Sequence, residues 1–404
     1  MRINVVDAGC GIGKTTALIN KMNDDMTEQK YLFVTPFLSE VERIKKACPN
    51  KHFIDPQEGQ NRNKLLDLSK LIEEGQNIVT THALFKKLDK DIVDVTLLRD
   101  YILVMDEVAD LVEELPISKS DLKNISENYM SVHPKSHMAE WLDADYSGKF
   151  DEYMRMIQKN NVFSYVDKNN KVVSLMWLFP YVIFESFKQV FVLTYMFDGQ
   201  IQKKYFDHFG ATYANWYIKD FHLTPTVQKY NYSKTKQLIT VCKAERLNLI
   251  GLKKTALSMS WFNANKKTYK MSELQNNVRS FFRSHAKSSN DKALWTTFKE
   301  YKKYVKGKGF VAGFAPINSR ATNEYGDKTA IAYIGNRYFK PTVKNFFTFN
   351  NMSVNQEFED KFALSELVQF VYRSAIRNGK PIDVYIPSKR MRDLFLEWLK
   401  KPNI

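Results

Sequence analysis

The chain has 404 residues, 44% of them hydrophobic and 26% charged, which suits a folded protein with more than one core and excludes a disordered chain. Its longest apolar stretch, residues 173–184, is broken by Ser174 and Pro180 and is too short to span a bilayer, so no membrane partner is expected. The formal net charge of +15 is one-sided: residues 1–220 carry 27 Lys and Arg against 32 Asp and Glu, and residues 221–404 carry 33 against 13, an excess that points to a polyanion such as nucleic acid.

In chain order, residues 3–6 read as a short apolar strand that runs into a glycine-rich loop rather than as a signal peptide. A helix is expected over 15–22, a buried strand over 31–35, a helix over 39–47, and strands over 77–81 and 101–105. Strands alternating with helices predict an α/β domain with a parallel sheet. Residues 118–187 are less regular and read as an insertion covering part of that sheet, after which 190–194 returns to the strand pattern. A boundary between 210 and 233 divides the chain into domains 1–220 and 221–404. In the second, residues 233–310 are lysine-rich and interrupted by Trp261, Phe262, Tyr269, Phe281, Phe282 and Trp295. Strands are expected at 237–242, 310–314, 330–334 and 382–386, and helices at 364–377 and 388–400. Cys10, Cys48 and Cys242 form no ligand pair and read as reduced thiols of a cytoplasmic protein. The seven histidines show no metal-ligand spacing.

The loop Ala8-Gly9-Cys10-Gly11-Ile12-Gly13-Lys14-Thr15 has the Walker A spacing, with Ala in place of the usual first Gly. Small residues (Gly9, Gly11, Gly13) let backbone N–H groups wrap phosphate oxygens, and the helix behind them favours an anion at its N-terminus. Lys14 is positioned to bridge β- and γ-phosphates, the Thr15 hydroxyl to hold Mg²⁺, and Thr16 to complete the nucleotide contacts. Further on, the apolar run 101–105 delivers Asp106 and Glu107 at its carboxyl end, where ligands of such sheets sit. Asp106 reads as the second Mg²⁺ residue and Glu107 as the group that orients and deprotonates the attacking water.

These motifs resemble those of superfamily 2 helicases of the DEAD/DEAH kind. Asp106-Glu107-Val108-Ala109-Asp110 is similar to motif II, and Ala8 to Thr15 has that superfamily's form of motif I. Val34-Thr35-Pro36-Phe37-Leu38 looks like motif Ia, Val79-Thr80-Thr81-His82 like the nucleic-acid-contacting segment before motif II, and Thr194 stands in the place of motif III. Asn323-Glu324-Tyr325-Gly326-Asp327 is similar to motif V. Gln369-Phe370-Val371-Tyr372-Arg373-Ser374-Ala375-Ile376-Arg377 resembles motif VI, Gln-x-x-Gly-Arg-x-x-Arg, with Tyr372 replacing the Gly and the last Arg one residue late. With Ile386-Pro387-Ser388-Lys389-Arg390, this tail looks most like helicases encoded by bacteriophages.

The resemblance implies two RecA-like P-loop NTPase domains in tandem, with an insertion in the first, and ATP and Mg²⁺ as cofactors. It implies a hydrolase that moves on or unwinds nucleic acid, with single-stranded or forked DNA as partner, in phage replication or recombination within the host cytoplasm. It makes Gln369 a nucleotide sensor and Arg373 or Arg377 the arginine finger. Arg373 and Arg377, four apart, are expected on one helical face, and Arg377, nearer the Gly379 turn, is preferred. Two other functions fit the phosphate loop. A DNA-packaging, terminase-like ATPase needs a nuclease with clustered acidic residues, and the second half holds only 13. A nucleic-acid-binding ATP switch without unwinding has no need of Glu107.

Overall fold

Six short apolar runs build the first sheet. The computed structural model describes residues 1–59, 63–167, 169–317 and 324–401. The strands are β1 (Arg2–Asp7), β2 (Lys30–Thr35), β3 (Ile78–Thr81), β4 (Tyr101–Asp106), β5 (Gln189–Thr194) and β6 (Thr212–Asn215). Their order is β6-β1-β5-β4-β2-β3. The pairs β1/β6, β5/β4, β4/β2 and β2/β3 are parallel. Asn4, near the start of β1, donates to the Val190 carbonyl near the start of β5 (3.3 Å), so these two neighbours leave the same edge. All six residues of β4 are buried, as a strand needs when both faces of its sheet are covered. Helices α1 (Lys14–Asp24), α2 (Leu38–Ala47) and α3 (Lys64–Glu73) alternate with the early strands. Thr35, Thr81, Asp106 and Thr194 close their strands at the carboxyl edge.

The insertion has more order than its sequence suggested. Strand Val172–Leu178 pairs antiparallel with Val112–Glu114 on one side and Val162–Val166 on the other, and a hairpin joins Met130–Val132 to Ala139–Trp141. Ile125, Ala139, Ile157, Val162 and Leu175 form a fully buried core of its own. A helix from far along the chain, α4 (Pro341–Phe349), packs here. The Thr342 hydroxyl donates to the Glu114 carboxylate (2.8 Å), and Phe346 lies against Phe163 and His208.

The second sheet holds β7 (Ile239–Val241), β8 (Ala293–Thr296), β9 (Ala330–Tyr333) and β10 (Ile382–Tyr385), in the order β7-β10-β9-β8 and parallel throughout. Helices α5 (Gln356–Val371) and α6 (Lys389–Lys400) belong to it. The strand expected at 310–314 is absent, and β8 takes its place. Gly313 has φ +78 and lies so close to β8 that an added Cβ would stand 2.1 Å from the Ala293 carbonyl oxygen. Only an isolated bridge, Trp295 to Phe314, forms there. Phe262, Phe281, Phe282 and Trp295 are core residues, at most 3% exposed.

The chain divides into two compact units. One comprises Met1–Val6, Leu18–Asn215 and Phe339–Asn355; the other comprises Asp7–Ala17, Trp216–Tyr338 and Gln356–Ile404. The segment Phe339–Asn355 thus joins the first unit although it lies well beyond residue 220. The phosphate loop is counted with the residues that surround it in the second.

Candidate active site

The loop between β1 and α1 takes its shape from its glycines. Gly11 and Gly13 have φ of +82 and +92, a left-handed conformation open to glycine without strain. The Gly13 carbonyl accepts the Ala17 N–H (2.8 Å), so α1 begins at once behind the loop. A Cβ on Gly11 would meet nothing within 4 Å, which leaves that side of the loop open. Lys14, the first residue of α1, is 8% exposed, and its ammonium donates to the carbonyls of Ala8 (2.8 Å) and Gly9 (3.2 Å). Thr15 is half-buried and Thr16 exposed.

Two residues of the segment 216–232, Tyr232 and Phe221, meet this loop. The Gly9 N–H donates to the Tyr232 hydroxyl (2.8 Å), and a Cβ on Gly9 would collide with that hydroxyl at 2.2 Å. Burial pushes the Tyr232 phenol well above its ordinary range, so it stays a neutral hydroxyl. At the other end, a Cβ on Gly13 would stand 2.7 Å from the Phe221 ring. Neither Tyr232 nor Phe221 was expected as a site residue. The only signal for Phe221 is its place in a short polar turn, and for Tyr232 there is none.

Of the motif VI residues, Arg373 and Tyr372 lie inside and Arg377 outside. Tyr372 is 7% exposed and lies near Cys10 of the loop, and burial raises its phenol well above the ordinary range, so it stays neutral. Arg373 is 6% exposed, with its guanidinium 5.4 Å from the centre of the Phe370 ring. Gln369, on α5, is half-buried and donates to the Ser365 hydroxyl (2.9 Å). The expected shared helical face does not exist, because α5 ends at Val371. Arg373 lies in the turn that follows, and Arg377 is exposed in a separate 3₁₀ turn, Ala375–Asn378. The chain is drawn off the helical path where the Ala375 N–H donates to the Lys328 carbonyl (2.9 Å). The motif V segment is described from Glu324 onward; Asn323 lies outside the described residues.

The acidic pair closes β4 in the first unit. Asp106 is 8% exposed, and its backbone carbonyl is 3.0 Å from Nε2 of His82. Glu107 donates its N–H to the Leu193 carbonyl of β5 (2.9 Å) but holds φ +68. Left-handed backbone at a residue with a Cβ is strained, and strain of this kind persists where surrounding structure enforces it. Its Oε2 is buried and has no hydrogen-bond partner among the described residues. On the neighbouring strand, Met196 has φ +57, just past Thr194, whose buried hydroxyl also lacks a partner there. Gln202, 1% exposed, fixes the next turn by accepting the Ala109 N–H (3.0 Å).

Among the described residues, no group of three or more His, Cys, Asp or Glu side chains is placed to hold a metal ion. No helix among them is long and apolar enough to cross a membrane.

A phosphate loop behind the first strand, an acidic pair ending a parallel strand and a second parallel sheet define a tandem RecA-like fold of the P-loop class, with an insertion in its first domain. Two solved structures share that fold at a TM-score of 0.50. One is an XPD protein in apo form, 12% identical, with 98% of this chain and 95% of that one covered. The other is S. tokodaii Xpd4, 10% identical, covering 98% and 94%. At that identity the likeness is one of fold alone. Residues 233–399 match the YonV C-terminal Rossmann-like domain. The chain is 36% identical over 417 residues to the SPbeta prophage-derived uncharacterized protein YonV of Bacillus subtilis (strain 168), covering 99% of each. It belongs to the YonV family.

Proposed function

We propose that this protein is an ATP hydrolase that uses the energy of turnover to translocate on, or unwind, nucleic acid, with single-stranded or forked DNA as the first candidate. The observation that carries the hydrolytic part is Glu107, held in a strained backbone conformation with a buried carboxylate oxygen that bonds to nothing described. An acid kept this way, one residue beyond Asp106 at the carboxyl edge of a RecA-like sheet, suits a base awaiting a water molecule. A protein that only bound ATP would have no use for it.

The residues present fit ATP and Mg²⁺. Left-handed Gly11 and Gly13 open the loop backbone to phosphate, and Lys14 supplies a buried cation. Thr15 offers a hydroxyl and Asp106 a carboxylate, each an oxygen ligand of the kind that Mg²⁺ takes. When bound, Mg²⁺ would neutralise charge on the β- and γ-phosphate oxygens. Gln369 contributes to nucleotide binding from α5. Arg373, buried beside the segment that faces the loop, is the better arginine finger; Arg377 is not needed for the chemistry.

Turnover measured with single-stranded DNA, duplex DNA, forked DNA and RNA tests the proposal. Nucleic acid is expected to stimulate hydrolysis. Lys14→Ala is expected to weaken ATP binding and abolish turnover. Glu107→Gln is expected to bind ATP normally while kcat falls about 10²- to 10⁴-fold, the usual contribution of a general base. Glu107→Gln turning over at the wild-type rate would refute the assignment.

A further inference from the structure

The hairpin beside the phosphate loop carries a residue that its own geometry disfavours. Strands Tyr217–Lys219 and His222–Thr224 pair antiparallel with Lys219 opposite His222, so Asp220 and Phe221 make the whole turn. Both have positive φ, +50 and +58. A two-residue turn of that kind favours Asn-Gly or Asp-Gly, because glycine has no Cβ to clash. A bulky aromatic there is an outlier. Burial does not offset the strain, since Phe221 is 55% exposed.

The turn is also held in place. The Ile218 N–H donates to the Tyr230 hydroxyl (2.6 Å), and the Tyr230 ring lies 6.5 Å from that of Tyr232. Tyr232 in turn bonds Gly9, and Phe221 meets Gly13. One segment therefore meets the phosphate loop near both ends and carries a half-exposed aromatic side chain beside it. Strain that is kept at a site, and enforced by anchoring, points to a use for the strained residue.

We infer that Phe221 is the face on which the nucleotide's base stacks. The inference rests on the phosphate loop binding a nucleoside triphosphate. Phosphates held by the loop leave the nucleoside outside it, where a flat apolar ring beside Gly13 offers the contact a base needs. A phenyl ring has neither donor nor acceptor, so it responds to the area of the base and not to its edges. ATP and GTP are accepted alike, and the smaller pyrimidine triphosphates bind more weakly.

The informative variant is Phe221→Gly, because it turns the sequence into Asp-Gly and favours the hairpin. Calorimetric titration with magnesium and a non-hydrolysable ATP analogue is compared with inorganic tripolyphosphate, which has no base. F221G is expected to lose affinity for the analogue about tenfold, within the range of single-base stacking, while tripolyphosphate binds as before and the thermal midpoint does not fall. Phe221→Trp is expected to keep the wild-type affinity. Unchanged affinity of F221G for the analogue overturns the stacking role. So does tighter binding of both ligands, which would make the ring a plug. A wild-type protein that binds neither ligand overturns the nucleotide reading and this inference with it.

Discussion

Arg373 and Arg377 differ in what surrounds them, and that difference decides which is suited to act on phosphate. Arg373 is 6% exposed and lies against Phe370, and the Tyr325 phenol feels its charge. Arg377 is exposed. A guanidinium stabilises charge in a transition state best when it is already aimed, because one at the surface must first lose its hydration. Burial does that aiming for Arg373. Arg373→Ala should therefore lower kcat about 10³-fold, the usual contribution of an arginine finger, with ATP affinity changed far less. Arg373→Lys, which keeps the charge and loses the planar fork, should recover little of it. Arg377→Ala should turn over within a few-fold of wild type. Steady-state kinetics and nucleotide titration on the three variants check this, and an inactive R377A beside an active R373A would reverse the assignment.

At the scale of elements, local pattern found what local chemistry determines. The phosphate loop was legible because eight consecutive residues carry it, and β4 because its apolar run ends in two acids. The end of α5 was not legible. No glycine or proline stands between Phe370 and Asn378, and the helix stops for a distant reason, the bond from Ala375 to Lys328. Helix α4 was not expected as a helix, and an apolar run does not say which core a buried segment joins. Its docking carries a pH dependence. His208 lies 5.8 Å from the Phe163 ring and 6.0 Å from Phe346 on α4 (centroid distances), and burial lowers its pKa below the ordinary 6.5. The unfolded chain then binds the proton more readily than the folded one, so stability is complete above about pH 6.5 and declines as pH falls from there toward the folded pKa. The urea midpoint of the first unit, followed by tryptophan fluorescence of the insertion, should fall on acidification across that window. In His208→Phe the contribution of this group to the fall should disappear; an unchanged acid dependence would show that other groups carry it.

For the whole molecule, charge is the property that sequence reports best and packing alters least. The excess of 33 basic over 13 acidic residues in 221–404 persists at the surface, where Lys299, Lys302, Lys303, Lys306 and Lys308 are all exposed. The aromatics expected among such lysines are buried, except that Trp261 is half-buried and Tyr269 stands 75% exposed between Lys267 and Lys270. If these groups hold a nucleic-acid strand, they do so by separable physics. A lysine on a phosphate releases a counterion, so its affinity depends on salt; a ring stacked on a base releases none. Reversing Lys302, Lys303, Lys306 and Lys308 to Glu should flatten the plot of log K against log salt for single-stranded DNA by about 0.7 for each lysine that meets a phosphate. Tyr269→Ala should weaken binding by about fivefold or more, the low end for one stacked base, and leave that slope where it was. Fluorescence anisotropy of a labelled oligonucleotide over a salt series reads both quantities from the same data. A slope unchanged by four reversals would place this stretch of lysines away from the strand, and a Tyr269→Ala protein with wild-type affinity would remove the ring from the interface.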